Sequence, residues 1–316
     1  MKNAVVTICS VNYLAHAKIL AESIRKFNPD YRIFLGLLDR IDQYEIDDTF
    51  LESFTLIEIH QLAIPDFKNL IHQGSLSDLN NRIKPYLFKF IYDTFPEILD
   101  LHYFDPDIQV FGEFTIFKEA LSQKDIIFIP HYVSPYEDAE YYHPNILDIE
   151  NKGFYNSGYI GTKNSTITQD FLKDWIDNPE NYRRLNQIPD KFKDYCFECK
   201  SLGANMAYWN LHERKLKEEK GKFIVNDQFP LLFYHFSGYD LKIPYSISKN
   251  QNRYEFTDRH DLASLFDLYA KSLKENGVER FKNYFTYYKI LDDSTSLNFI
   301  QKLKKSIHSF LFNKKK

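Results

Sequence analysis

Short apolar runs recur through the first 130 residues, separated by segments whose apolar residues return at helical spacing. Runs of this length without polar alternation are typical of strands that are covered on both faces of a sheet. The predicted strands are residues 4–9, 33–38, 56–59, 99–104 and 125–130. A helix is predicted from Leu14 to the Asn28-Pro29 pair, and another over residues 77–94, which Pro85 is expected to interrupt.

Alternating strands and helices predict an α/β fold with a doubly wound sheet and helices on both of its faces. Ligands of such sheets bind beyond the carboxyl ends of the strands, where Asn12, Asp39 and Asp105 are expected. Because no Gly-rich or Pro-rich linker interrupts the chain, we predict one domain over residues 1–255 and a helical C-terminal extension over residues 256–316.

Composition excludes some classes of protein. Hydrophobic residues make up 44% of the chain and aromatic residues 17%, which argues against disorder. The net charge of -4 gives no general attraction to nucleic acid, so we expect no nucleic-acid partner. No apolar stretch reaches the roughly 18 residues of a membrane span, and the start carries no apolar leader, so a cytoplasmic location is predicted.

The last residues differ in character from the rest. In residues 302–316, apolar positions at helical spacing are surrounded by lysines. This pattern is typical of a basic amphipathic helix, which would contact the inner face of the cell membrane, and it equally suits a solvated terminus.

Three cysteines are present, of which Cys196 and Cys199 form a Cys-x-x-Cys pair. A closed zinc site needs four ligands, and no second pair of this kind occurs, so zinc is disfavoured. An odd number of cysteines also favours a reducing compartment over a disulfide framework.

Asp105 and Asp107 follow the fourth apolar run at a spacing of two residues. If the strand continues through them, both carboxylates project to the same side. Two such oxygen ligands suit Mg²⁺ or Mn²⁺ shared with a diphosphate. The alternative is an Asp-Pro-Asp turn that only ends the strand, and the pair by itself does not decide between them.

His235 ends another apolar run and is followed by Ser237 and Gly238. An imidazole that joins two carboxylates would favour Mn²⁺ over Mg²⁺. A glycine permits close approach of the backbone, and the serine hydroxyl could contact phosphate. The alternative for His235 is a hydrogen-bonded histidine of the core.

Asn156, Ser157 and Gly158 interrupt an aromatic segment, so their amide and hydroxyl groups could bind sugar hydroxyls. A β-bulge or turn explains the same pattern equally well. Lys84, on the predicted helix ahead of the Asp pair, could reach a phosphate or remain in solvent.

In this order over residues 1–255, these motifs resemble GT-A glycosyltransferases, in particular bacterial relatives of glycosyltransferase family 8. The matching residues are Asn12-Tyr13, Lys84, Asp105-Pro106-Asp107, Asn156-Ser157-Gly158, and His235 with Gly238. The stretches Ala207-Tyr208-Trp209-Asn210-Leu211 and His235-Phe236-Ser237-Gly238-Tyr239-Asp240 are also similar to a group of bacterial sugar transferases.

The resemblance implies a mixed sheet of the GT-A type and a transferase that moves a hexose from a nucleotide diphosphate sugar to a cell-surface glycan or lipid-linked acceptor, with retention of configuration. Asp105, Asp107 and His235 would hold Mn²⁺ or Mg²⁺. The donor nucleotide would be bound by Thr7, Asn12, Tyr13, Asp39, Lys84, Ser237, Gly238 and either Lys249 or Lys242. The predicted catalytic residues are Asn156, Gln187 and Asp148.

One departure concerns the sugar-transfer side. The relatives usually carry an Asp-Gln pair, for which the nearest counterpart here is Asn186-Gln187. Asp138 and Asp148 are the candidates for the missing carboxylate. The departure leaves a second hypothesis open, a domain that binds nucleotide sugar with little or no transfer. A phosphatase of the haloacid dehalogenase type is disfavoured, because Gln109 stands where that class has Thr or Val.

Overall fold

The computed structural model describes residues 1–70, 76–137, 141–183 and 189–286. The strands are β1 Asn3–Cys9, β2 Tyr31–Leu37, β3 Thr55–Glu58, β4 Asp100–Phe104, β5 Ile108–Val110, β6 Ile126–Phe128, β7 Tyr159–Lys163, β8 Cys196–Glu198, β9 Met206–Ala207, β10 Leu216–Glu219, β11 Lys222–Val225, β12 Phe229–Pro230 and β13 Phe233–His235. The helices are α1 Leu14–Phe27, α2 Asp48–Leu51, α3 Phe67–Leu70, α4 Leu76–Thr94, α5 Thr115–Gln123, α6 Ile146–Lys152, α7 Thr166–Asp177, α8 Pro179–Arg183, α9 Ala263–Glu275 and α10 Val278–Phe281.

The largest sheet has seven strands in the order β3-β2-β1-β4-β7-β6-β8. β1 pairs in parallel with β2 and β4, whereas β7 runs antiparallel to β4 and β6. The predicted fold class, an α/β fold with a doubly wound mixed sheet, is therefore confirmed. The strand order reverses between β1 and β4, where sheets of this kind bind their ligands.

Side chains of β1 show how both faces of the sheet are covered. Ala4, Val6 and Ile8 share a buried cluster with residues of α4 and α7, whereas Val5 joins residues of α1 and α5. The alternation follows the two-residue period of a strand. α4 continues through Pro85 and is not interrupted there, because one lost hydrogen bond is offset by an apolar face that stays buried.

A smaller sheet holds β13 between two short strands. β13 is antiparallel to β5 and parallel to β9, which places His235 opposite Ile108 on one side and Ala207 on the other. These pairings bring together three segments that are distant in the sequence. The remaining strands, β10 to β12, form an antiparallel sheet of their own.

The first part of the predicted extension packs on the core. The ring of Tyr269 in α9 stacks on Phe236 at 3.7 Å between centroids. A domain boundary at residue 255 stays a prediction. Gln187, Asn186, Asp138 and the basic tail lie outside the described residues. Among the helices that the structure describes, none has the length and apolar character needed to cross a bilayer.

Candidate metal and diphosphate site

Asp105, Pro106 and Asp107 connect the two sheets. β4 ends at Phe104 in the large sheet, and β5 begins at Ile108 in the small one. The strand does not continue through both aspartates: the N–H of Ile108 donates to the Asp105 carbonyl at 3.2 Å and closes a turn. The two carboxylates nevertheless lie close together, at the carboxyl end of β4.

His235 completes this cluster from the end of β13. Its Nε2 lies 3.0 Å from Asp107 Oδ1 and 3.8 Å from Asp105 Oδ2. The potential ligand atoms of the three residues all lie within 4.8 Å of one another. Two carboxylate oxygens and one imidazole nitrogen form a donor set that fits Mn²⁺ and leaves coordination positions for a substrate. We call these residues the metal cluster.

The electrostatics of the metal cluster favour a cation. Burial alone would raise the pKa of Asp107, but the charge and hydrogen bond of His235 outweigh it and lower that pKa. Burial would lower the pKa of His235, yet its hydrogen bond to Asp107 and the charges of both aspartates raise it. The carboxylates whose negative charge raises the pKa of His235 would equally attract a divalent cation.

Gly158 leaves the room that the cluster needs. A Cβ placed on it would lie 2.5 Å from Asn156 Oδ1, 2.7 Å from His235 Cε1 and 2.9 Å from Asp105 Oδ2. Its N–H donates to Asn156 Oδ1 at 2.7 Å, and its carbonyl accepts the N–H of Asp105 at 2.8 Å. A side chain at this position would fill the space beside the ligands.

Lys84 reaches the cluster from α4 and is only 2% exposed. Its Nζ donates to Asn81 Oδ1 at 2.9 Å and to the Ser157 carbonyl at 2.7 Å, and lies 3.9 Å from Asp105 Oδ1. Burial lowers the pKa of Lys84 to about 8, against the opposing effect of Asp105. Two hydrogen-bond acceptors and the Asp105 carboxylate surround Nζ, and this environment stabilises a positive charge on Lys84.

The metal cluster opens into a cavity of about 480 Å³. Its wall includes three residues that the sequence predicted as ligands of sugar or phosphate, namely Asn156, Ser157 and Ser237. Sequence reasoning missed several others that line it, among them Asp78, Asn81, His131, Asn151, Lys152 and Asn250. Tyr208 and Trp209 also line it, and their presence in the Tyr-Trp-Asn-Leu string was the available signal.

A second cavity, of about 240 Å³, adjoins the cluster on the side of β1 and α4. Tyr13 and Lys84 line it together with the two aspartates. Asn12 lies beside it and accepts a hydrogen bond from Ser10 Oγ.

Thr7 and Asp39, which were also predicted as nucleotide contacts, are fully buried. Thr7 lies inside β1. Asp39 Oδ2 accepts the N–H of Val11 at 2.6 Å, and Asp39 Oδ1 accepts the hydroxyl of Tyr44. Asp39 therefore holds the loop that carries Asn12 and Tyr13.

The loop after β13 folds back on itself at Gly238, whose φ of +75° lies in the left-handed region. A Cβ there would meet the side chains of Asn250 and Ser248 at 2.5 and 2.6 Å. The Gly238 carbonyl accepts the N–H of Lys249 at 3.0 Å. Gly238 thus positions this loop beside the cluster, while Lys242 is exposed.

Asp148 and Lys249 line a third cavity, of about 350 Å³, together with His143. Asp148 caps α6: its Oδ2 accepts the N–H of Asn145 at 2.9 Å and lies 2.7 Å from His143 Nδ1. The structure does not bring Asp148 to the metal cluster. This third cavity shares Lys152 and Asn250 with the cavity of the cluster, so the two are neighbours.

Cys196 and Cys199 are buried and unpaired. Within the described part of the chain, they belong to no group of three side chains that could hold a metal.

Solved structures with a similar backbone are glycosyltransferases. The galactosyltransferase LgtC is 16% identical with a TM-score of 0.44, and the alignment covers 85% of this chain and 95% of that chain. GlyE of Streptococcus pneumoniae is 14% identical with a TM-score of 0.47, and covers 91% and 66%.

Two similar proteins of Bacillus subtilis are the uncharacterized proteins YfnF and YfnD. YfnF is 25% identical over 292 residues, which cover 86% of this chain and 92% of YfnF. YfnD is 22% identical over 258 residues, which cover 74% of this chain and 77% of YfnD. No protein-family model matches the chain.

Proposed function

We propose that this protein is a metal-dependent glycosyltransferase of the GT-A type, which moves a hexose from a nucleotide diphosphate sugar to a cell-surface glycan or lipid-linked acceptor. The observation that supports this most is the convergence of Asp105, Asp107 and His235 where the strand order reverses. Cavities adjoin the cluster on two sides, so one could take the nucleotide and the other the sugar.

On the nucleotide side, Asp105, Asp107 and His235 would hold a divalent cation, which supplies charge that stabilises the departing nucleoside diphosphate. Lys84 adds a fixed positive charge beside Asp105. Because Lys84 is buried and held by two hydrogen bonds, its charge needs little rearrangement when negative charge develops on the leaving group.

On the sugar side, the larger cavity has the size and lining that a hexose requires. Asn156 is 5% exposed and its Oδ1 is fixed by the N–H of Gly158, so its amide group is oriented for a sugar oxygen. Tyr208 and Trp209 offer aromatic surface to the apolar face of a ring. We therefore propose Asn156 as the residue that lies beside the reacting sugar.

The decisive experiment incubates the protein with Mn²⁺ and a panel of UDP and GDP sugars, and measures release of nucleoside diphosphate with and without EDTA. We expect release from one donor class, abolished by EDTA and restored by Mn²⁺. Binding of a nucleotide sugar without any release would reject the enzyme and support the domain that only binds. Release of inorganic phosphate in place of nucleoside diphosphate would contradict both.

A further inference from the structure

The two oxygens of Asp105 have different surroundings. Oδ1 accepts the hydroxyl of Tyr103 at 2.6 Å and lies 3.9 Å from Lys84 Nζ. Oδ2 lies 3.8 Å from His235 Nε2 and would be the nearest Asp105 atom to a Cβ on Gly158. One oxygen is thus engaged by the protein, while the other faces the remaining metal ligands.

Tyr103 itself is held firmly. It is fully buried in β4, and Lys84 Nζ lies 4.1 Å from the centre of its ring. Lys84 in turn is bonded to the Ser157 carbonyl, and the Asp105 N–H to the Gly158 carbonyl. The carboxylate of Asp105 is therefore held from β4 and α4, and its backbone is held from the segment before β7.

We propose that Tyr103 is a positioning residue that makes Asp105 a ligand through Oδ2 alone. This inference rests on the proposed metal-dependent function. A carboxylate that binds through both oxygens takes two positions around a six-coordinate cation, whereas one held at Oδ1 takes only one. The position that is kept open would serve an oxygen of the diphosphate.

The test replaces Tyr103→Phe, which removes one hydroxyl and keeps the ring. Tyr92→Phe is the matched control: Tyr92 is also buried, and its hydroxyl bonds Thr162 away from the cluster. Mn²⁺ affinity is measured by electron paramagnetic resonance without donor. We expect Tyr103→Phe to weaken Mn²⁺ binding about 10–100-fold, as for other hydrogen-bond partners of metal ligands, and Tyr92→Phe to leave it unchanged.

A second measurement needs no variant to fold. Infrared spectra of wild-type protein labelled with ¹³C-aspartate report the separation between the two carboxylate stretches, which is wide for binding through one oxygen and narrow for binding through both. In the difference spectrum with and without Mn²⁺, the absence of any aspartate band pair with a wide separation would overturn this inference alone, and so would equal Mn²⁺ affinity of wild type and Tyr103→Phe. If the wild type binds no Mn²⁺, the proposed metal-dependent function fails instead.

Discussion

The cavity of the metal cluster and its neighbour beside Asp148 are built differently. Around the cluster, the functional side chains come from strand ends and one helix, and Lys84, His235 and Asn156 are 2–5% exposed. In the neighbouring cavity Lys249 is exposed, and the side chain of His143 is 59% exposed. The side chains at the metal cluster are therefore fixed by the core, while those of the neighbouring cavity lie on surface segments.

The difference in exposure between the two cavities has a physical explanation. Binding of a metal and a diphosphate requires atoms placed within fractions of an ångström, which buried and hydrogen-bonded groups provide. Recognition of an acceptor tolerates change, and surface loops change most readily. We infer that the outer cavity admits the acceptor, and substitutions in the two regions should have unequal effects.

The largest expected effect is that of Asp107→Asn. The amide keeps the shape of the carboxylate but removes the charge that pairs with His235 and would hold the cation. Metal-dependent release of nucleoside diphosphate should fall about a thousandfold in kcat, comparable to loss of a key electrostatic group elsewhere. Asp93→Asn, at an exposed carboxylate paired with Lys89, is the control and should leave activity intact. Undiminished activity of Asp107→Asn would refute the metal assignment.

Gly158→Ala should come next, because its new methyl group would collide with Asn156, His235 and Asp105. We expect the free energy of unfolding to fall by about 1–3 kcal/mol and Mn²⁺ binding to weaken in parallel. Gly221→Ala serves for comparison: space is open around it, but its φ of +76° gives a strain of about 1 kcal/mol. Calorimetry of both variants with and without Mn²⁺ would distinguish a general loss of stability from a loss of metal binding. An unchanged Mn²⁺ affinity of Gly158→Ala would show that the metal cluster has room for an added methyl group.

A smaller effect is expected from Lys84→Met, which removes the buried positive charge. The affinity for nucleoside diphosphate at saturating Mn²⁺ should fall about 10–100-fold, since hydrogen bonds to charged groups contribute about 1.5–3 kcal/mol and about 1.4 kcal/mol is a factor of ten. Lys89→Met, on the exposed face of the same helix, should bind normally. Titration calorimetry would measure both, and equal affinities would place the diphosphate away from Lys84.

Lys249→Gln should have the smallest effect on the affinity for the donor nucleotide. An exposed charge interaction contributes about 0.2–1 kcal/mol, so the affinity for nucleoside diphosphate should change less than about fivefold. The KM for an acceptor should rise more than the donor affinity changes. A donor defect as large as that of Lys84→Met would instead assign Lys249 to the diphosphate, as the family resemblance implied.

Local patterns predicted a large part of the fold. The strands that overlap predicted apolar runs are those in which hydrophobic residues follow one another without interruption. Asp105 and His235 were predicted as site residues because each follows such a run. Asp148 carried an equally local signal, since Asn145 and Asp148 have the spacing of a capping box, and both of its hydrogen bonds are present.

The parts of the fold and of the site that the sequence did not predict depend on contacts between segments that are distant along the chain. β5 and β9 have only two or three residues each and exist because β13 pairs with both. The hydrogen bond from Tyr103 to Asp105 joins neighbours in the sequence. The effect of this bond on the metal cluster depends on Lys84, which reaches Tyr103 from another element. His131 lines the cavity without belonging to any motif, so only the fold reveals it.

The position of His235 far along the chain from Asp107 has a consequence for the lifetime of the protein. A cation held by both would act as a cross-link between β13 and the turn after β4, and it would bind the folded chain in preference to the unfolded one. When Mn²⁺ is plentiful, the protein would then unfold at a higher temperature and be cleaved more slowly by proteases. The supply of the metal would govern how much folded protein persists in a cell as well as how fast each molecule works.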